Sequence, residues 1–132
     1  QHWVYLIPDH TPEQRLEAWQ QINHRFTPKA LDVSGLENYR AYSWQRQLHL
    51  YEVPFYYIEY GIAQLGAIGL WQQFKQNKEE ALNHYRRALS LGGTKPLPEL
   101  YKAAGLAFNF SANHIHNLVA FVQQQMEAIE QA

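Results

Sequence analysis

The sequence contains no cysteine. Disulfide scaffolds, thiolate metal sites and cysteine nucleophiles are therefore excluded, and the composition fits a reducing, cytoplasmic setting. Charge is sparse as well. Charged residues make up 17% of the 132, with Lys plus Arg at 11 against Asp plus Glu at 12, a formal charge of -1. So nearly neutral a chain lacks the basic footprint that nucleic-acid binders turn toward phosphates, and nucleic acid is not an expected partner. Alternation of apolar and polar residues never runs far enough to argue for a sheet. No uninterrupted apolar run reaches the roughly 20 residues that span a bilayer. Residues 55–74 come nearest, with Glu59 and Gln64 interrupting them, so no membrane association is expected. No charged-then-apolar leader opens the chain, which starts at Gln1 instead of Met. It looks like a piece of something longer.

What is present favours an all-α fold. Hydrophobic residues at 46% and aromatics at 14% suffice for a core in a single helical domain or subdomain spanning 1–132. Thr11, Pro12 and Gln14 form a capping box with proline at the first helical position, and Leu16, Trp19, Ile22 and Phe26 follow on one helical face. Thr27-Pro28 ends that helix. Ser34 and Glu37 offer a second capping box, opening a segment with Tyr39, Tyr42 and Leu48 near a common face. Asn77 and Glu80 offer a third start, with Leu82, Tyr85 and Leu89 on the side read as buried. Gly92-Gly93 ends this helix as a left-handed C-terminal residue does. Pro98 begins a short helix closed by Gly105. The last helix, roughly 111–130, carries Ile115, Leu118, Val119, Val122, Met126 and Ile129 at helical spacing. The sum is an irregular bundle of about five to seven helices.

Residues 55–74 are apolar nearly all round, so they read as a helix covered by neighbours. Gly61, Gly66 and Gly69 would let other backbones approach closely, each at about 1 kcal/mol of helix propensity relative to Ala. Such a helix belongs at the centre of a larger assembly, and its exposed apolar surface would support a dimer in isolation.

The chemistry-bearing residues divide unevenly. Of the seven histidines, the closest pair, His114 and His116, points about 200° apart on a helix, which is poor geometry for chelation. The HExxH pattern of zinc peptidases occurs nowhere in the chain, so no metal ligand is assigned within it. His49, Tyr56 and Tyr60 would fall within about 40° of one another on an uninterrupted helix. Pro54 lies between them and breaks or kinks any such helix by displacing the Leu50 carbonyl, so phase alone places only Tyr56 and Tyr60 together. An imidazole and two phenols could stabilise a developing oxyanion. Tyrosines filling half-buried positions with satisfied hydroxyls give the plainer explanation on spacing alone. Leu65, Ile68 and Gly69, then Ala81, Tyr85 and Ala88, echo the tetratricopeptide pattern once, with Gln72 where an aromatic belongs, whereas a solenoid needs about three copies. A stand-alone helical interaction module is the alternative this pattern offers. Gly92-Gly93-Thr94 could present amides to an anion, with helix termination the simpler reading. Gln123-Gln124-Gln125 reads as the solvated side of the final helix.

Two blocks carry a resemblance. Trp44-Gln-Arg-Gln-Leu-His49-Leu-Tyr-Glu-Val-Pro54-Phe-Tyr56-Tyr-Ile-Glu-Tyr60-Gly is similar to the C-terminal region of the oligoendopeptidase F branch of the thimet-oligopeptidase family of zinc metallopeptidases. Ala88-Leu-Ser-Leu-Gly-Gly-Thr-Lys-Pro, followed by Leu97-Pro-Glu-Leu-Tyr-Lys-Ala-Ala-Gly105, resembles the Gly-Gly turn, proline and Ala-Gly ending that precede the family's last helix. The likeness spans roughly 36–130, with Gln1-His2-Trp3 resembling the run-up to it. Ile58 departs from the branch, which often has an aromatic there.

The resemblance implies a large helical enzyme whose deep channel admits short peptides. Zinc would be held by an HExxH helix and a downstream glutamate, all N-terminal to this chain. The present residues would supply the opposite wall of the cleft, with His49, Tyr56 and Tyr60 facing the scissile carbonyl and Tyr57, about 100° away, the lesser candidate. On this basis the full-length protein is expected to be a zinc-dependent oligopeptidase. The isolated piece is expected to be inactive and to bind no zinc, its partners being short peptides and the missing catalytic portion.

Overall fold

Thr11 starts the first long helix as its side chain predicts. In a computed structural model describing residues 1–131, the Thr11 hydroxyl accepts from the Gln14 amide at 3.3 Å, and the Gln14 side chain accepts from the Thr11 amide at 2.9 Å. Two orphan donors of the helix start are thereby satisfied. The chain divides into two compact units, Gln1–Ile58 and Glu59–Ala132. Among the described residues there are seven α-helices, two 3₁₀ turns and no strand.

The first unit contains α1 (His2–Leu6), α2 (Pro12–Phe26), α3 (Glu37–Ala41) and the 3₁₀ turns Ser43–Arg46 and Leu48–Leu50. Polar bonds join α2 to α3. The Trp19 indole N–H donates to the Arg40 carbonyl and the Ser43 hydroxyl, both at 3.0 Å. The Arg40 guanidinium donates to the Thr27 hydroxyl, which in turn donates to the Asn23 carbonyl at 2.5 Å. These side chains satisfy carbonyls at the C-terminal ends of both helices, where the intrahelical ladder leaves acceptors over. Ala41 is the buried apolar residue here.

The second predicted capping box does not form. Leu36 occupies the N-cap of α3 with no side-chain bond. Ser34 instead gives its hydroxyl and amide to the Asp32 carboxylate, at 2.5 and 2.9 Å. Those two bonds hold the Asp32 carboxyl below its ordinary range. An Asx turn has outcompeted the cap for the same serine. The helix then runs only five residues, leaving Tyr39 exposed and Leu48 in a separate 3₁₀ turn, so the common face of Tyr39, Tyr42 and Leu48 does not exist.

In the second unit α4 (Ile58–Gln76) leads to α5 (Lys78–Leu91), α6 (Leu97–Ala103) and α7 (Ala112–Glu130). The Asn77 side chain caps α5 by accepting from the Glu80 amide at 3.3 Å. Gly92 ends α5 at φ 52°, as predicted, but its ψ of -135° lies outside the left-handed helical well, in a region that only glycine enters readily. Gly66 and Gly69 make α4 approachable. A Cβ at Gly66 would lie 2.8 Å from the Tyr101 hydroxyl, and one at Gly69 would lie 2.9 Å from Leu106. Tyr101 reaches across this gap to donate to the Ile62 carbonyl at 2.5 Å. Its burial pushes the phenol pKa up.

Two helical faces are rotated from their predicted positions. On α5, Ala81 is buried while Tyr85 and Leu89 are exposed, so of the three residues read as its buried side only Leu82 is partly covered. On α7, Leu118 and Phe121 are buried, the latter with its ring edge-on to Trp71 at 4.9 Å, while Ile115, Val119, Met126 and Ile129 are exposed. Apolar spacing identifies a stripe but cannot say which of two adjacent stripes meets the neighbour. Gln125 is likewise half-buried rather than solvated. No helix among the described residues is long and apolar enough to cross a membrane.

Candidate functional site

Pro54 decides the geometry around His49. Proline fixes its own φ and cannot continue a helix from the Leu48–Leu50 turn, and residues 51–57 form a succession of turns before α4 begins at Ile58. The Tyr56 amide donates to the Val53 carbonyl at 3.1 Å. Pro54 therefore takes the second position of a four-residue turn and Phe55 the third, with φ at +65°. This is the pattern of a type II turn, in which that third position favours glycine. For phenylalanine a left-handed backbone costs on the order of 1–2 kcal/mol.

The turn brings the rings of Tyr56 and Tyr57 close to that of His49. The His49 and Tyr56 rings are nearly parallel, 4° apart in plane with centroids separated by 6.0 Å. The Tyr57 ring lies closer, at 4.9 Å and tilted by 48°. His49 is half-buried, and both tyrosines are about half exposed. The site thus gathers one imidazole and two phenols, a set of N–H and O–H donors without permanent negative charge.

Helical phase is not what brings these groups together. Tyr56 and Tyr57 precede α4, so the shared helical face predicted for Tyr56 and Tyr60 has no helix to support it. Tyr60 sits in the first turn of α4, in the second unit, with its side chain exposed. Tyr57, the lesser candidate on angular grounds, has its ring nearer to His49 than Tyr56 does. The turn, not the helix, determines this, and Pro54 was its visible signal.

Two residues, Gln1 and Tyr5, were not expected to act at this turn. The Gln1 side chain accepts from the Phe55 amide at 2.7 Å and donates to the Leu50 carbonyl at 3.4 Å. Tyr5 stacks on the Phe55 ring at 5.2 Å. No spacing rule links residues some fifty positions apart, so only the folded chain reveals this contact.

His114 and His116 serve no common purpose. His114 is half-buried in the wall of a cavity of about 180 Å³ that Tyr101, Leu106 and Phe110 also line, whereas His116 is exposed. Gly92-Gly93-Thr94 terminates α5, with the Thr94 amide and hydroxyl both donating to the Leu91 carbonyl at 3.1 and 2.6 Å.

A model of peptidase family M3 matches residues 1–119. The chain belongs to this family. M3 membership places the chain in a metallopeptidase family. Neither the curated proteins nor the solved structures yield a match. Among the described residues of this M3 chain no three His, Asp or Glu side chains converge to hold a metal ion. The described residues therefore do not by themselves fit a zinc centre.

Proposed function

We propose that this chain is the C-terminal part of a zinc-dependent oligopeptidase of the oligoendopeptidase F branch, and that it supplies the cleft wall facing the scissile peptide bond. The observation that carries the reading is the packing of the Tyr56 and Tyr57 rings near His49 on a turn that contains Pro54. Family M3 membership supplies the reaction class, peptide-bond hydrolysis.

As the carbonyl carbon becomes tetrahedral, its oxygen gains negative charge. Donors already fixed in position stabilise that charge without reorganising at the moment of reaction. Tyr56 and Tyr60 would each give a phenol O–H to the oxygen, and His49 an imidazole N–H. None of them needs to change protonation state to do so. Short peptides are the substrates this reading implies, and the metal-bearing remainder of the polypeptide is its partner. The isolated chain is inactive on this account. The tetratricopeptide-like echo stays a single copy and has no observation of its own in its favour.

The test is Tyr60→Phe in the full-length enzyme. Removing one oxyanion donor is expected to lower turnover by about 10²–10³-fold, with zinc content and melting temperature unchanged. Wild-type turnover in that variant would remove Tyr60 from the site.

A further inference from the structure

Phe55 is a bulky residue held in a conformation suited to glycine. Such a backbone persists only where its surroundings over-determine it, and here the surroundings are identifiable. Gln1 receives the Phe55 N–H at 2.7 Å and gives its own amide to the Leu50 carbonyl at 3.4 Å, so one side chain spans both ends of the turn that separates His49 from Tyr56. From α1, Tyr5 lays its ring on that of Phe55 at 5.2 Å with 28° between the planes. Backbone and side chain of the same strained residue are thus gripped from one short segment, residues 1–5. The next residue, Tyr56, lies parallel to His49.

We infer that Gln1 is a positioning residue: by fixing the left-handed Phe55 it sets the distance and angle between His49 and Tyr56. The inference rests on the oxyanion role proposed above for that pair. On this reading Gln1 acts through the turn that it bonds at Leu50 and Phe55. Tyr5 assists by covering the Phe55 side chain.

The mechanism dictates which substitutions should matter. Gln1→Leu keeps most of the side-chain volume and removes the acceptor, freeing Phe55 to relax to negative φ. Gln1→Glu restores an acceptor for the Phe55 amide. Phe55→Gly removes the strain, since glycine adopts φ +65° at no steric cost, so the turn no longer needs the clamp. Misplacement of a reacting group by about 1 Å can cost about 10²-fold in rate.

The experiment is a set of variants in the full-length enzyme, read by steady-state kinetics on a short peptide and by crystal structures. Gln1→Leu is expected to lower kcat by about 10–100-fold with KM within about twofold, with the His49–Tyr56 separation increased and Phe55 at negative φ. Gln1→Glu should recover kcat to within about threefold of wild type. In a Phe55→Gly background, adding Gln1→Leu should change kcat by less than about twofold, which a general loss of stability around α1 would not produce. Unmoved rings and an unchanged Phe55 backbone in Gln1→Leu overturn the inference. Separated rings with wild-type kcat overturn the oxyanion role of the pair, and the positioning role with it. If Gln1→Leu does not fold, the Phe55→Gly pair of variants decides alone: a large additional loss there contradicts action through Phe55.

Discussion

The two units are held together by different physics. In Glu59–Ala132, three helices of 14 to 19 residues and the seven-residue α6 with its following loop meet through small residues and apolar contacts: Tyr101 fits over Gly66, Leu106 over Gly69, and Phe121 against Trp71. In Gln1–Ile58 the helices after α2 run five residues or fewer, and hydrogen bonds from Trp19, Arg40, Thr27 and Gln1 secure their ends and turns. The candidate site belongs largely to the second kind of structure. Packing tolerates small displacements at low cost, whereas a hydrogen-bonded turn fixes angles, which is what an oxyanion donor requires. The unit with the thinner apolar core is the one that orients His49 and Tyr56.

The comparison breaks most readily at Leu118, which is 2% exposed. Leu118→Ala should cost the second unit about 2–5 kcal/mol through lost burial and the cavity left behind. Local hydrogen-exchange protection should collapse in α4 and α7 while the amides of α2 keep theirs. Equal loss in both units would show that they share one cooperative core.

Trp19→Phe probes the other unit with a smaller effect. The indole N–H disappears, but the Arg40 carbonyl still accepts from the Ser43 hydroxyl at 2.8 Å, so no acceptor is stranded. The expected cost is about 1–2 kcal/mol, seen as reduced exchange protection in α2 and α3 with α7 unaffected. A cost as large as that of Leu118→Ala would mean that the first unit depends on apolar packing after all.

The smallest effect is one of pH. Burial raises the Tyr101 pKa in the folded state, so the protonated phenol contributes stability that is fully present below the unfolded tyrosine value of about 10. That contribution is lost as pH rises through the folded value. Denaturation of the second unit followed from pH 8 to 11 should show stability falling above about pH 10, and Tyr101→Phe should flatten that fall. An equally steep decline in the variant would assign the effect to other groups.

These differences follow how much of each unit was legible in the sequence. Thr11-Pro12 and Asn77-Glu80 announced α2 and α5 because capping is local chemistry, settled within four residues. Ser34 misled because Asp32, two residues earlier, offered its hydroxyl a stronger acceptor. Helical spacing found the stripes of α5 and α7 but not which of them meets a neighbour, since that depends on where Gly66 and Gly69 admit Tyr101 and Leu106. His49 and the tyrosines stood out by residue type and by family resemblance. Their arrangement was hidden by a turn whose third residue should by rule be glycine, and by a clamp from fifty residues away.

The central claim is that Tyr56 donates to the oxygen that becomes charged in the transition state. Its most direct test compares two losses in full-length Tyr56→Phe: the loss in kcat/KM for a short peptide, and the loss in affinity for the same peptide with a tetrahedral phosphinate replacing the scissile amide. A group that acts only on the transition state must lower both by the same factor, about 10²–10³, with substrate KM unchanged. A variant that binds the phosphinate as tightly as wild type would contradict the account.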